Sequence, residues 1–187
     1  MEALRIDDYF TYAQYALWEG PERFELIDGV AYMMAAPGIA HQDISMALSK
    51  RFANFLTGKR CKVYAAPVDV CLNALGDKDD TVVQPDLIIV CDRSKLDGKR
   101  LNGAPDMAVE ILSPSSTRMD LDVKYEKYKE AGVREYWIVD PVTKTVQANI
   151  LKNGEYVVKT YGGNDIAPVL VLPGLEINLH DVFAEAE

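Results

Sequence analysis

The sequence predicts an α/β domain of the α+β type, in which helices flank a central mixed sheet. Apolar residues recur at helical spacing between residues 40 and 56, and short apolar runs typical of strands follow them. A second helical segment then precedes another strand and a β-meander. This order of elements is that of an α+β or mixed-sheet fold. A chain of 187 residues can bury one core and is short for two, so we expect one domain over residues 1–187.

The N-terminal part of the chain predicts a short helix and a β-hairpin. Asp7 or Asp8 is a suitable N-cap for a helix that ends near Trp18. The strings FELIDG and VAYMMA follow as two strand candidates. Asp28-Gly29 between them is the strongest short signal for a hairpin turn, because both positions tolerate positive φ.

The rest of the sequence predicts a central sheet that is flanked by helices. Ile44, Leu48, Phe52 and Phe55 recur on one face of a helix over about residues 40–56. A second helix is expected from about residue 116 to 131, before a glycine stop. The strand candidates are CKVYAA, VDVCLN, TVVQPDLIIV and DMAVEIL before this second helix, and REYWIVD, TVQANIL, EYVVKTY and the short runs 169–172 and 175–179 after it.

The composition excludes several classes of protein. Its 49% hydrophobic and 26% charged residues are ordinary for a soluble globular chain. No apolar run approaches the roughly 18 residues that a membrane span needs, and the acidic N-terminus lacks the layout of a signal peptide. Three cysteines without CxxC spacing argue against a disulfide framework or a zinc site. We therefore expect a cytoplasmic protein.

The charge distribution bears on the choice of partner. A net charge of −9 counts against nucleic acid, because Lys and Arg dominate phosphate binding. Positive charge is nevertheless concentrated in two places. Residues 41–62 carry five basic side chains against one acid, and residues 93–100 carry four against one. These local patches could still meet a phosphate backbone.

Two carboxylates and one lysine are the strongest candidates for chemistry. Asp86 and Glu110 each stand in or beside an apolar run, where an unpaired charge is costly. Neighbouring strands that bring these acids together, followed by Lys124 on the next helix, would make a site for a divalent cation. Mg²⁺ prefers oxygen ligands, and the carbonyl of Ile111 could supply a third. A nearby lysine can polarise an attacking water, so these residues favour a metal-dependent phosphodiesterase.

Four strings stand in the order PERFELIDGVAYMM, APGIAHQDIS, VVQPDLIIV and VEILSPSSTRMDLDVKYEKYKEAGVREYWIVDP. Through them the chain resembles the putative restriction endonuclease family that is rich in cyanobacterial members (domain of unknown function 820). The resemblance covers about residues 8–182. Membership of the restriction-endonuclease-like PD-(D/E)XK nuclease superfamily is implied. The implied core is helix, three strands, helix and strand, here with an added N-terminal hairpin and a C-terminal β-meander.

The resemblance also implies roles for individual residues. Asp86 matches the superfamily aspartate and Glu110 the second acid, and both would bind Mg²⁺, for which Mn²⁺ would substitute. The superfamily lysine position is Leu112 here, so Lys124 is its implied replacement and Lys127 the competing choice. The implied function is an endonuclease that hydrolyses nucleic acid, with DNA as the expected substrate. A metal-activated water held by the two acids would attack, and Lys124 would assist.

Further polar residues could support this site. Glu25 interrupts an apolar strand and matches an acid repeated in the family, although a surface position is an equally ordinary role for it. His41 opens the long helix and could contact substrate or phosphate, or could simply cap or pack. Gln84 could orient a water or contact substrate. Asp120 lies one helical turn before Lys124 and could orient its side chain.

Two other functions compete with the nuclease interpretation. One is a catalytically inactive restriction-endonuclease-like binding or interaction module, which the acidic charge favours. The other is a metal hydrolase of a smaller phosphodiester. An enzyme that cuts both strands of a duplex often works as a pair of copies, so a homodimer is expected for the nuclease.

Overall fold

Fourteen strands and four α-helices make up the regular structure of residues 5–6, 8–113 and 122–186, which are the residues that the computed structural model describes. The strands are β1 (Arg5–Ile6), β2 (Phe24–Ile27), β3 (Val30–Met33), β4 (Lys62–Ala65), β5 (Asp69–Cys71), β6 (Val82–Val83), β7 (Leu87–Val90), β8 (Arg100–Asn102), β9 (Met107–Ile111), β10 (Glu135–Asp140), β11 (Thr145–Lys152), β12 (Glu155–Gly162), β13 (Ile166–Pro168) and β14 (Glu176–Asn178). The helices are α1 (Tyr12–Tyr15), α2 (Ile39–Leu56), α3 (Lys124–Ala131) and α4 (Leu179–Phe183).

The strands form two six-stranded sheets and one two-stranded pair within this described part. The first sheet has the order β1-β3-β2-β6-β5-β8, and the second has the order β12-β11-β10-β9-β7-β4. In the second sheet β9 and β10 run parallel, whereas the other neighbours run antiparallel. Its elements follow the chain order α2, β4, β7, β9, α3, β10. The predicted mixed-sheet fold with a core of helix, three strands, helix and strand is confirmed.

The predicted N-terminal hairpin belongs to the first sheet. Strands β2 and β3 pair antiparallel, and the turn between them has φ 49° at Asp28 and 78° at Gly29. These values are typical of a two-residue hairpin turn. The hairpin is not an isolated addition, because β6 pairs with β2 and extends it into the larger sheet. The predicted C-terminal meander is formed by β10, β11 and β12.

Helix α2 covers one face of the second sheet. Its buried residues Ile44, Leu48 and Phe52 follow the spacing that predicted the helix, and they pack in one cluster with Trp137 of β10. Burial of each such side chain contributes about 1.5–3 kcal/mol. The packing fixes the helix against the sheet, and with it the first turn, which carries His41.

Helix α3 and the first sheet cover the other face of the second sheet. Tyr128 of α3 packs there with Ile88 of β7, Ala108 of β9 and Val70 of β5. This second apolar cluster therefore joins the two sheets. At one end of this layer, polar residues lie between α3, the first sheet and the second sheet. These residues form the candidate site.

The apolar run TVVQPDLIIV, which predicts one strand, forms two. Residues 82–83 pair as β6 in the first sheet, and residues 87–90 pair as β7 in the second. The prediction of a single strand was wrong because Pro85 has no N–H to donate to a ladder. Residues 84–86 instead carry the chain from one sheet to the other, and two candidate site residues lie on this crossing.

The ends of several elements also differ from the sequence prediction. Helix α1 begins after Thr11, whose N–H donates a hydrogen bond of 2.8 Å to the side-chain oxygen of Gln14, so neither Asp7 nor Asp8 is its N-cap. Helix α3 ends at Gly132 (φ 84°) as predicted. Its expected start near residue 116, and Asp120 with it, lie outside the described residues. The last strand pair is formed by β13 and β14.

No described helix is both long and apolar enough to cross a membrane.

The cysteine pattern is a further correction. Cys61 and Cys91 form a disulfide, whereas the odd count and the spacing argued against one. The two residues are 30 positions apart, but the antiparallel pairing of Lys62 with Val90 places them opposite each other. Only the strand register brings them together, and spacing along the chain does not reveal it. Cys71 remains a free thiol in the buried core.

Candidate active site

The carboxylate of Asp86 lies at the start of β7. Its Oδ2 accepts a hydrogen bond of 2.7 Å from the N–H of Ile111, and the same oxygen lies 3.1 Å from Nε2 of His41. The pairing of Leu87 with Val109 places Asp86 opposite the position of the second acid on β9. Helix α2 and strand β9 thus fix one carboxylate oxygen, and within the described residues the other has no hydrogen-bond partner.

The ammonium group of Lys124 lies between two buried carboxylates. Its Nζ is 2.9 Å from Oε2 of Glu25 and 3.1 Å from Oε1 of Glu110. The lysine side chain is only 2% exposed. Glu25 belongs to β2 in the first sheet and Glu110 to β9 in the second, so this ion triad ties both sheets to α3. Removal of one member of such a buried ion group typically costs about 3–5 kcal/mol.

Tyr128 completes the environment of Glu110. Its hydroxyl donates a hydrogen bond of 2.7 Å to Oε1 of Glu110, the oxygen that also contacts Lys124. Burial raises the pKa of Tyr128 well above its ordinary value, and the Glu110 charge raises it further. The phenol therefore stays a proton donor to the carboxylate at any physiological pH. Sequence reasoning did not select Tyr128, although its position four residues after Lys124 places both on one helix face.

Gln84 connects the site to the first sheet. Its backbone N–H donates to Oε1 of Glu25 at 2.7 Å, and its side-chain Nε2 donates to Oδ1 of Asp69 at 2.8 Å and to the hydroxyl of Tyr15 at 2.9 Å. Its side-chain oxygen accepts from Nε of Arg23 at 3.0 Å. Burial and the Asp69 charge raise the pKa of Tyr15. The amide is thus held by three side chains that sequence reasoning did not find, since they come from separate elements.

The competing lysine lies elsewhere. Lys127 forms an ion pair of 2.8 Å with Asp28 in the hairpin turn, where the aspartate is largely exposed. Leu112, at the superfamily lysine position, donates its N–H to the carbonyl of Val139 and packs against the second apolar cluster. An apolar side chain there is consistent with a lysine that reaches Glu110 from α3 instead.

The charges of this corner favour a cation. Glu25, Asp86 and Glu110 bring three negative charges against the single positive charge of Lys124, which leaves −2 for these four side chains when ionised. The donors are carboxylate oxygens beside the peptide of Ile111, and such hard oxygen ligands suit Mg²⁺. Among the described residues, no group of three or more His, Cys, Asp or Glu side chains is arranged to hold a metal ion. The donor set fits a magnesium site with one or two carboxylates, which needs no larger cluster.

The comparisons with known proteins identify the family of this chain. The family model Uma2, described as putative restriction endonuclease, matches residues 9–180. The chain belongs to this family. The matched segment of this Uma2 chain contains all the candidate site residues discussed above, from Glu25 to Lys124. The family resemblance inferred from the sequence motifs is therefore confirmed.

Two known proteins are similar to this chain over most of its length. An uncharacterized protein of Synechocystis sp. is 26% identical over 156 residues, which are 81% of this chain and 80% of that protein. The crystal structure of a putative nuclease belonging to DUF820 from Anabaena variabilis matches with a TM-score of 0.77 at 18% identity, and the match covers 95% of this chain and 99% of that chain. The second comparison confirms the fold.

Proposed function

We propose that this Uma2 protein is a divalent-cation-dependent endonuclease that hydrolyses phosphodiester bonds of nucleic acid, with DNA as substrate. Mg²⁺ is the proposed cofactor, and Mn²⁺ would substitute for it. We propose that one cytoplasmic domain over residues 1–187 carries this activity, and that two copies act on the two strands of a duplex.

The observation that carries the proposal is the meeting of Asp86, Glu110 and Lys124 at one corner. Lys124 comes from a helix rather than from the strand of Glu110, and its Nζ nevertheless lies 3.1 Å from that carboxylate. A buried ion triad could be purely structural, but Asp86 contributes a further acid that the triad does not neutralise. Excess negative charge beside a buried lysine is suited to binding a cation and a phosphate together.

The residues have separate proposed roles. Asp86 and Glu110 would hold the cation together with the carbonyl of Ile111. A bound divalent cation acts as a Lewis acid toward phosphate oxygens and lowers the pKa of a water molecule that it binds. Lys124 would then stabilise negative charge that develops on the substrate, in a buried setting where such stabilisation is strong. His41 orients the carboxylate of Asp86 from the side of α2.

One specific observation favours the second candidate, a catalytically inactive interaction module. Both Glu25 and Glu110 are already engaged by Lys124, so the triad is satisfied without a cation. An inactive descendant of the fold would keep such a triad for stability alone. The two candidates differ in one measurable property, which is saturable binding of a divalent metal.

Titration calorimetry with Mn²⁺ tests the proposal without requiring a known substrate. We expect saturable binding to the wild-type protein and its loss in Asp86→Asn and Glu110→Gln. Asp106→Asn is the matched control, since Asp106 also follows a proline before a strand but lies away from the triad, and it should bind like wild type. Mn²⁺-dependent cleavage of plasmid DNA by wild type should follow. Absence of binding at millimolar metal with an oligonucleotide present would favour the inactive module.

A further inference from the structure

Strand β12 forms a long free edge of the second sheet. It has eight residues and lies at the end of the strand order, with only β11 beside it in the described part of the chain. The other edge strands of the two large sheets are shorter, since β4 has four residues, β8 three and β1 two. A free edge presents N–H and C=O groups to which another strand can bond. The edge of β12 therefore offers the longest ladder for such a strand.

The turn before β12 determines which of its backbone groups face outward. Asn153 and Gly154 form a two-residue turn with φ 53° and 86°, between Lys152 of β11 and Glu155 of β12. Residues that flank such a turn exchange backbone hydrogen bonds, and bonded pairs then alternate along the ladder. Odd-numbered residues of β12 therefore bond to β11, and even-numbered residues direct their N–H and C=O groups outward.

Backbone groups and apolar side chains are both open along this edge. The outward groups of Gly162 bond to Asp165, and within the described residues those of the other three even-numbered positions have no hydrogen-bond partner. Val157 is 51% exposed and Val158 is 49% exposed, and they lie on opposite faces of the strand. A strand paired with β12 would satisfy the backbone groups and cover part of both valines.

The charges of β12 match those of a second copy of the same strand. When two identical strands pair antiparallel, outward residues must oppose outward residues, so even-numbered positions face even-numbered ones. One such register places Val157 opposite Val157 of the partner subunit. Glu155 then lies directly opposite Lys159 of the partner subunit, and the two-fold symmetry forms this pair twice. Opposite charges that face each other directly across a ladder stabilise it.

Other registers lose this match. A shift of two residues places a valine opposite Glu155 in one direction and opposite Lys159 in the other. A shift of four residues places Glu155 opposite its own copy, or Lys159 opposite its own copy, and like charges directly opposite are destabilising. The other edge of the second sheet, β4, contains a lysine and no acid, so two β4 strands have no such match. The charges thus select one strand and one register.

We propose that two copies of this chain associate through antiparallel pairing of their β12 strands, in the register that opposes Glu155 to Lys159 of the partner subunit. The two six-stranded sheets join into one sheet of twelve strands around a two-fold axis. The same surface serves both copies, as in other two-fold dimers. The pairing itself does not depend on the proposed function, whereas its use on a duplex rests on that function.

This pairing places both candidate sites on one side of the joined sheet. Glu110 of β9 pairs with Ile138 of β10. Ile138 pairs with Gln147 of β11, which pairs with Thr160 of β12, and directly paired residues share a sheet face. A two-fold axis perpendicular to the sheet keeps this face on the same side in both copies. Under the proposed function, each copy then cuts one strand of the same duplex.

Sedimentation velocity over a range of protein concentrations tests the pairing. We expect wild type to form a species of twice the 20.8 kDa of one chain. Lys159→Glu should raise the dimer Kd at least about tenfold, because it replaces two attractive pairs with two repulsive ones. Val158→Pro should raise the Kd as well, because proline removes an outward N–H and leaves the hydrogen bonds to β11 in place.

A charge exchange separates the pairing from a general response to charge. Glu155→Lys/Lys159→Glu restores both pairs with their signs reversed, so its dimer Kd should return to within about threefold of wild type. Lys78→Glu is the matched control, since it makes the same charge change at an exposed position outside the second sheet. It should stay within about twofold of wild type. The three charged side chains are exposed, so thermal melting should find these variants folded.

Three results would overturn the proposal. One is a wild type that stays monomeric up to about 0.1 mM, which is above the micromolar Kd of weak specific interfaces. Another is a dimer that tolerates Lys159→Glu, because association would then use a different surface. The third is a charge-exchanged variant that dissociates as readily as Lys159→Glu.

Plasmid cleavage in Mn²⁺ connects the pairing to the proposed function. Wild type should linearise supercoiled plasmid, whereas Lys159→Glu should produce nicked circles at concentrations where it is monomeric. If wild type cleaves no plasmid, the proposed function fails, while sedimentation still decides whether the β12 strands pair. Equal linearisation by wild type and by monomeric Lys159→Glu would overturn the use of the pair on one duplex and leave the cleavage activity intact.

Discussion

The two Pro-Asp dipeptides of the chain occupy equivalent positions with different outcomes. Asp86 precedes β7 and Asp106 precedes β9, and these strands are antiparallel neighbours. Each carboxylate accepts an N–H from the far end of the other strand. Asp86 binds the N–H of Ile111 at 2.7 Å, and Asp106 binds that of Cys91 at 2.6 Å. The two aspartates thus clamp the same strand pair from opposite ends.

Their second partners distinguish the two ends. Asp86 contacts His41, and it lies beside the buried triad of Lys124. Asp106 contacts Arg134, whose side chain is 57% exposed. The Pro-Asp dipeptide itself therefore specifies only a carboxylate at the start of a strand, which accepts an N–H from the neighbouring strand. Its chemistry depends on which side chains of other elements surround the aspartate, and at the Asp86 end these come from α2, α3 and the first sheet.

The largest expected contrast between the ends is in stability. Lys124→Met should lower the free energy of unfolding by about 3–5 kcal/mol, because it leaves two buried carboxylates without their cation. Arg134→Ala should cost no more than about 1 kcal/mol, because that ion pair is largely solvent-exposed. Urea denaturation of both variants measures the difference.

A compensating variant controls for loss of packing at Lys124. Glu25→Gln/Glu110→Gln/Lys124→Met removes all three charges and should recover most of the stability lost in Lys124→Met. Equal costs for Lys124→Met and Arg134→Ala would contradict the view that the two ends differ in burial of charge.

The next contrast is in activity. Under the proposed function, Asp86→Asn should reduce the kcat of Mn²⁺-dependent DNA cleavage by about 100- to 1000-fold, because it removes a charge of the proposed cation site. Asp106→Asn should leave kcat within about twofold, because an asparagine oxygen can still accept the N–H of Cys91. A similar loss in both variants would mean that the clamp, rather than the charge at the active end, supports cleavage.

The smallest expected effect concerns Tyr128, which has no counterpart at the Asp106 end. Tyr128→Phe should cost about 1.5 kcal/mol through the lost hydrogen bond to Glu110. The pKa of Tyr128 is raised from its ordinary value of 10.0. Its contribution is therefore complete below about pH 10 and is lost as pH rises through the higher pKa of the folded state. Denaturation at several pH values should give a constant difference from wild type up to about pH 9 and a smaller one above it.

Local signals predicted much of the fold. Asp28-Gly29 specified the hairpin because its turn chemistry acts within four residues, and the spacing of Ile44, Leu48 and Phe52 specified α2 because one helix face must be buried. The acids Asp86 and Glu110 could be proposed because charges in apolar runs need a reason. Apolar runs and turn residues predicted the order of the remaining elements, and the resemblance implied the same core.

Features that depend on register or on a second sheet could not be predicted. The run around Pro85 has no periodicity that would show where it leaves one sheet and enters the other. Cys61 and Cys91 meet only because β4 and β7 pair in one particular register. Likewise, Tyr15 and Asp69 reach Gln84 from elements far apart in sequence. Such contacts are properties of the assembled sheets.

Because residues 84–86 cross between the sheets, the candidate site combines segments that are synthesised at different times. The first sheet contributes Glu25, the crossing contributes Asp86, the second sheet contributes Glu110, and α3 contributes Lys124. A chain that emerges from the ribosome N-terminus first cannot assemble this corner until about two-thirds of its 187 residues have been synthesised. A nascent or truncated chain that stops before α3 would hold these acids without their cation, and under the proposed function it would not cleave nucleic acid.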